Sequence, residues 1–296
     1  MKVTYGLDSD GDKIDSNNLG IHARNRGAGY VNVDLQSFKR LFLSLGAREE
    51  IFSGGRSEFA PTVSAGVWIR NGLRLRASAS RAFRLPTYTD LYYHDPANVG
   101  NPLLKPESAW GFETGPEWNA GNGITAQLTV FNRRERNDID YVRDSASIRW
   151  KAMNVSHVVF WGVEGGVRLR LPKSQEIGLA YTSLTADHQV GAGETSKYVF
   201  NYPSHNAVFT WTGQFGNILT ARSRVGATQR VGHDPYAVWD LSVMRSTGAI
   251  RPYLQFTNLT DAGYQTIPDV VMPGRAVVGG VELRWSPRVR VHADKN

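Results

Sequence analysis

Residues Ala77–Trp110 read ASASRAFRLPTYTDLYYHDPANVGNPLLKPESAW, and this stretch decides the fold. The run that enters it alternates. Leu73, Leu75, Ala77 and Ala79 share one parity; Arg74, Arg76, Ser78 and Ser80 share the other. Period-2 alternation of this kind predicts a strand with two unlike faces. Pro86, Pro96, Pro102 and Pro106 then keep the chain out of both helix and ladder. The connection is far longer than a hairpin loop of about 2–5 residues, and loops of that size are functional or disordered. Tyr88, Tyr92 and Tyr93 argue against disorder, because disordered segments are poor in aromatics.

The rest of the chain repeats the pattern. Alternating runs are expected at 2–12, 28–37, 39–52, 59–70, 73–83, 107–118, 123–135, 156–171, 176–186, 201–213, 217–230, 236–246, 249–258 and 275–285, roughly fourteen strands. Each is about ten to fifteen residues long. Soluble strands run about 5–6 residues, whereas tilted membrane strands need about 9–11. Tight connections at Asn71-Gly72, Pro172–Ser174 and Ser246–Gly248 alternate with long ones at 84–106, 136–155, 187–200 and 259–274. Short turns at one end and long loops at the other mark a membrane barrel. No helix of consequence is expected, and no repeat supports a propeller.

Composition agrees. Mean hydropathy is −0.35, and no run approaches the roughly 20 apolar residues of a membrane helix. Barrel strands are apolar on one face only, so they escape that test. The 296 residues contain no cysteine, which excludes a disulfide scaffold and Cys-based metal or redox sites. The net charge of +7 comes from basic residues scattered along strands, so no nucleic-acid partner is expected. The first residues, MKVTYGLDSDGDKIDS, have no apolar core of a signal peptide, so an exported barrel is expected to carry further sequence upstream.

The strings SRAFRLPTYTDLYY and GNPLLKPESAWGFETG resemble the hallmark of TonB-dependent outer-membrane receptors. There a strand ends in a similar F-R-x-P-T/S pattern, an outer loop follows, and G-N-P-x-L-K-P-E leads into the next strand. The end of the chain, YLQFTNLTDAGYQTIPDVVMPGRAVVGGVELRW, is similar to the family's final hairpin. Val277, Gly279, Val281, Leu283 and Trp285 are expected to face lipid. The basic tail 286–296 departs from the family, whose members end near that aromatic.

The resemblance implies an all-β, antiparallel transmembrane barrel. Residues 1–285 form the C-terminal portion of a roughly 22-stranded wall with a plugged lumen, and the plug is absent from this chain. It also implies location in the outer membrane of a Gram-negative bacterium and energised uptake of a scarce ligand of the siderophore, haem or cobalamin class. The partners it implies are outer-membrane lipid and lipopolysaccharide, a TonB-type energising complex acting through the missing plug, and a small-molecule or chelate ligand. No enzyme activity and no cofactor are expected. The rival readings are a passive pore or structural barrel, and a soluble β-rich hydrolase.

Candidate residues follow. Arg84, Tyr92, Tyr93 and His94 are candidates to face a ligand at the mouth; aromatics there also suit an interfacial girdle. Arg74/Arg76, Arg168/Arg170 and Arg222/Arg224 lie two apart on one strand face each. The first two pairs sit opposite apolar residues and so should face the lumen, as a basic wall for an anionic chelate or plug, or as solvated interior. Trp110, Trp118, Trp161, Trp211, Trp239 and Trp285 suit a girdle. Asp8, Asp10 and Asp12 resemble the start of a calcium loop, but Gly11 stands at the fourth position and Leu19 at the twelfth. A charged strand end passing into a polar loop is the plainer reading. Glu49 and Glu50 are adjacent on a strand and point to opposite faces, so they are no catalytic pair; Asp138 and Asp140 show no further sign of catalysis.

Overall fold

A computed structural model describes residues 1–38, 40–144, 149–188, 194–197, 202–267 and 270–285. The strands are β1 (Lys2–Ser16), β2 (Gly20–Phe38), β3 (Leu41–Phe52), β4 (Arg56–Arg70) and β5 (Leu73–Arg84). The loop after β5 holds α1 (Tyr88–Tyr92) and β6 (Asn98–Val99). There follow β7 (Glu107–Asn119), β8 (Ile124–Asp144), β9 (Trp150–Leu171), β10 (Gln175–His188), β11 (Glu194–Ser196), β12 (Pro203–Phe215) and β13 (Leu219–Arg230). The chain closes with β14 (Tyr236–Arg245), β15 (Ile250–Thr257), β16 (Gln265–Ile267), β17 (Val270–Val271) and β18 (Ala276–Leu283).

Fourteen of these form one antiparallel meander in the order β1-β2-β3-β4-β5-β7-β8-β9-β10-β12-β13-β14-β15-β18. β6 adds to β9 and β11 to β8, while β16 and β17 pair with each other. The sheet is open: β1 and β18 are its edges.

Register shows what the alternation does. Ala126, Val167, Leu179, Phe209, Val225 and Trp239 are cross-strand neighbours along one row. The adjacent row reads Thr125, Arg168, Gly178, Thr210, Arg224 and Asp240. A step of one residue exchanges an apolar face for a polar one. Leu179 is 54% exposed and Phe209 40% exposed, although both belong to the apolar face. The buried apolar cluster among the described residues is small: Val142, Val155 and Val158 with Phe160 and Ala186 packed against it. A sandwich would hide its apolar face in a core; this sheet leaves it bare, as a wall solvated by lipid does.

The short connections lie at one end, and their geometry is demanding. Gly72, Gly216 and Gly248 have φ of 78°, 57° and 92°, and Lys173 and Ser174 have φ of 61° and 54°. A Cβ at Gly72 would also collide with the carbonyl oxygen of Asn119. Inside the wall, Gly115 faces the Leu128 carbonyl so closely that a Cβ would overlap it, and the next residue, Pro116, has no N–H to give β8.

The structure corrects three expectations. Residues 13–16 and 20–27 are strand, not loop, because β1 and β2 continue to a turn at 17–19. Most of 136–155 is strand as well: β8 and β9 pair as far as Val142 and Lys151. Their charged residues are ordinary on strands that rise beyond the bilayer, where nothing requires an apolar face. The long loop carries a one-turn helix, α1, stabilised by a capping box. The tail 286–296 lies outside the described residues.

Candidate functional site

The loop between β5 and β7 folds across the polar face near the long-loop end. Its helix starts at Thr87. The Thr87 Oγ1 accepts from the Asp90 N–H at 3.1 Å, and the Thr87 N–H donates to Asp90 Oδ2 at 2.9 Å. Arg84 Nη1 donates to the same oxygen at 3.2 Å. The return path is held by Gly100 N–H to the Tyr93 carbonyl at 2.7 Å and Asn101 N–H to the Asp90 carbonyl at 2.9 Å.

From there the loop reaches both ways. Toward β2, Arg24 Nη1 donates to the Pro86 carbonyl at 2.9 Å, and its guanidinium lies 5.0 Å from the centre of the Tyr88 ring. The Tyr88 hydroxyl donates toward Asp12 at 3.2 Å. His22 stacks on Tyr92 with ring centres 3.6 Å apart and planes within 5°. Toward β8 and β9, β6 pairs in parallel with Trp150 and Lys151. Asn154 accepts from the Lys105 N–H at 2.9 Å and donates to the Lys105 carbonyl at 3.0 Å. The Tyr141 hydroxyl donates to the Thr89 carbonyl at 3.3 Å. The loop is thus a chord tying β1–β2 to β8–β9.

The four mouth candidates hold this frame. Arg84 bridges Asp90 and Glu107, with Nε to Glu107 Oε2 at 2.6 Å. Tyr92 lies on His22. The Tyr93 hydroxyl donates to Asp95 at 3.1 Å, and that acceptor pushes the Tyr93 phenol above its usual value. His94 Nδ1 contacts the Tyr92 carbonyl at 2.7 Å. Asp95 is held below the usual carboxylate range, chiefly by the Asn98 side chain and by the Ala97 and Asn98 N–H groups.

Below the chord is the polar face. Arg74 and Arg76 share Glu117, with Arg76 Nε 2.8 Å from Oε1, and Arg76 also faces Glu113 at 3.5 Å. Arg168 and Arg170 flank Glu176 at 3.4 and 3.6 Å, and Arg224 faces Asp240 at 3.8 Å. A cavity of about 650 Å³ lies between Arg74, Glu117, Arg168 and Glu176. Arg222, opposite Thr212 and Ser242, has no ion pair among the described residues, but the other five arginines of these pairs are accompanied by acids, so the face is a charge mosaic and not a purely basic wall.

The aspartates of β1 are explained the same way. Asp8, Asp10 and Asp12 project from one side of the strand toward Arg48, Arg26 and Arg24 respectively. Successive same-side residues are about 6.6 Å apart on a strand, too extended for the wrapped loop that calcium needs. Among the described residues no cluster of His, Asp or Glu is arranged to hold a metal. Glu50 is buried against Arg26 and Arg48 while Glu49 lies on the opposite face.

A group that sequence reading did not assemble sits at the upper rim. Glu107 Oε1 accepts from the Ile139 N–H at 2.6 Å and Oε2 from Arg84. Glu135 pairs with Arg133. Asp138 is 7% exposed, and its Oδ2 is buried without a hydrogen-bond partner among the described residues. Burial first, then the Glu135 and Glu107 carboxylates, push Asp138 up to about 8. The strand changes face here, because Asn137 has φ 57°. β8 and β9 are 21 and 22 residues long, about twice what a membrane crossing needs, so this rim stands outside the bilayer.

Residues 3–269 match the family described as TonB dependent receptor-like, beta-barrel. The chain belongs to this family. The receptor barrel is similar to the iron-regulated outer membrane virulence protein of Vibrio cholerae, with 26% identity over 204 residues that span 62% of this chain and 31% of that protein. Its fold matches the siderophore receptor PirA from Acinetobacter baumannii with a TM-score of 0.74 at 14% identity, over 94% of this chain and 51% of that one. It also matches a mutant ferric enterobactin receptor from Pseudomonas aeruginosa, in complex with enterobactin, with a TM-score of 0.72 at 17% identity, over 93% and 50%. The chain spans about half the length of these solved receptors and less than a third of the Vibrio protein. The matched family is one of receptors and transporters, and the wall is part of a barrel.

Proposed function

We propose that this chain is the greater part of the wall of an outer-membrane receptor that takes up an iron–siderophore chelate in a Gram-negative bacterium. The observation that carries the reading is the segregation of faces across fourteen strands, with the long loops gathered at one end. An apolar outer face fits lipid, and the charge mosaic opposite it fits a hydrated lumen. The siderophore class comes from the solved receptors that share the fold. Open edges at β1 and β18 cannot rest in lipid, so further strands complete the wall. The energising complex acts through a plug in that additional sequence. Arg74, Arg76, Arg168 and Arg170 line the lumen and meet the plug or the anionic chelate. Tyr92, Tyr93, Arg84 and His94 act at the mouth by holding the chord in place, which in turn shapes the entrance.

The test is growth of a receptor-deficient strain on ferric catecholate siderophores as sole iron source. Complementation by the complete gene, lost when the energising complex is deleted, is expected. Growth that survives that deletion would instead support a passive pore, and a protein that stays monodisperse without detergent would refute the barrel.

A further inference from the structure

The polar face has a second recess, roofed by the last long loop. Three cross-strand pairs form its floor: Arg224 with Asp240, Gly226 with Val238, and Thr228 with Tyr236. The cavity measures about 350 Å³, within the range of about 300–1,000 Å³ usual for small-molecule sites. The chain that leaves β15 closes over it. Asn258, 4% exposed and at φ 50°, donates its N–H to Asp240 Oδ1 at 3.0 Å. Its side-chain amide donates to the Ala262 and Pro273 carbonyls at 3.0 and 3.2 Å. The fixed roof brings Tyr264 onto Tyr236, with ring centres 4.6 Å apart and planes inclined at 18°.

The groups beneath the roof are uncommitted. Arg224 Nη1 and Asp240 Oδ2 lie 3.8 Å apart, longer than a hydrogen bond of about 2.7–3.2 Å, and the two side chains stay 52% and 36% exposed. The guanidinium lies across Gly226, where a Cβ would come within 3.2 Å of Nη1, so the glycine gives it room. The hydroxyls of Tyr236, Tyr264 and Thr257 line the recess and have no hydrogen-bond partner among the described residues. The recess therefore offers a fork of donors, a carboxylate acceptor and three hydroxyls that can do either, beside a rigid aromatic plate.

Charge selects the occupant. An anion would meet Asp240 and a cation would meet Arg224, so each gains one partner and one repulsion. A hydroxyl satisfies both at once, accepting from Arg224 while donating to Asp240. Adjacent hydroxyls on a ring repeat that match along the floor, and the C–H face of the ring lies on the tyrosine plate. We infer that this recess is a binding site for a neutral, hydroxyl-rich ring, a single sugar unit. The inference goes beyond the chelate uptake proposed above and does not rest on it, because the mouth residues of that reading lie on the chord between β1–β2 and β8–β9, whereas this site is built on β13, β14 and β15.

The complete receptor, purified in a detergent without a sugar headgroup, is titrated by calorimetry with the methyl glycosides of glucose, galactose and mannose. At least one should bind. Arg224→Ala should weaken that binding at least tenfold, and Thr212→Val, on the same face near the short turns, should leave it unchanged. A linear tetrasaccharide of the same sugar separates two sources of the ring: tenfold tighter binding marks the end of a longer chain, equal binding a free sugar. No binding of any of the three glycosides, or equal affinity in Arg224→Ala, would overturn the proposal. So would displacement of the sugar by millimolar sulfate, which would mark an anion site. Should Arg224→Ala fail to fold, Tyr236→Phe and Thr257→Val decide, since their hydroxyls have no protein partner to lose. Each should lower affinity at least threefold, and unchanged affinity in both would overturn the site. The growth assay on siderophores is untouched by these outcomes, so the two readings fail separately.

Discussion

Replacing Asp138 by Asn should remove a pH dependence that the rim of the wall carries. The folded site raises the Asp138 carboxyl from 3.8 to about 8, so between those values the folded rim binds a proton that the opened rim releases. Local stability is then greatest at low pH, falls as pH rises through this window, and levels off above 8. One unit corresponds to about 1.4 kcal/mol, so the loss from pH 5 to pH 8 is on the order of 4 kcal/mol at most. After burial, the charges that set it are Glu135 and Arg133 on β8 and Glu107 on β7; Arg84 on β5 pairs with Glu107, and Asp140 is also buried. Below its raised value Asp138 is a neutral acid whose proton is donated to Glu135; an Asn amide keeps that donation without the charge. Hydrogen exchange of peptides covering 136–144 and 150–157, corrected for intrinsic exchange, should show protection falling with pH in the natural protein by up to about a thousandfold. In Asp138→Asn it should stay level. A natural protein with flat protection, or a variant with the same slope, would refute the shared-proton account.

Three further outcomes follow from the geometry. Gly115→Ala places a methyl against the Leu128 carbonyl and should cost about 1–3 kcal/mol, measured as a lower midpoint for loss of the heat-resistant folded band on a gel. His22→Ala and Tyr92→Ala should each loosen residues 85–106, and a double-mutant cycle on their exchange rates should return a coupling of about 0.5–1.5 kcal/mol; additivity would mean the stack contributes nothing. Arg84→Ala leaves Glu107 beside Asp138 and Glu135 without its counter-ion. It should destabilise the rim by about 1–3 kcal/mol and steepen its loss of protection with pH.

The strand count, the faces and the tight turns were legible because each depends on neighbours in sequence. Asn71-Gly72 announces its turn, and Leu73, Leu75 and Ala77 announce their side. The tops of β1, β2, β8 and β9 were not, because above the bilayer the apolar alternation that identifies a strand disappears. What replaces it is pairing between distant residues. Asp8, Asp10 and Asp12 look like a cation site until Arg48, Arg26 and Arg24 are brought opposite them. The same holds for the mouth. Tyr92 reads as a free aromatic until His22 lies on it, and nothing near Asp138 in sequence announces that Glu107 will face it. The position of Asn137 at positive φ, which turns Asp138 inward, also leaves no periodic signal.

The chord has a kinetic side. Its bonds join residues far apart in the chain: Arg24 to Pro86 is a separation of 62 residues, Tyr88 to Asp12 one of 76, and Lys105 to Asn154 one of 49. Contacts of such range form after the local hairpins, because the loop-closure entropy must be met before they return anything. The chord can dock only when β1–β2 and β8–β9 are both present and in register, since a slip of one residue would turn His22 and Arg24 to the other side. Docking is therefore a late event that reports on the whole arc of wall beneath it. A wall assembled out of register would leave this tyrosine- and proline-rich segment loose, open to the first protease that meets it.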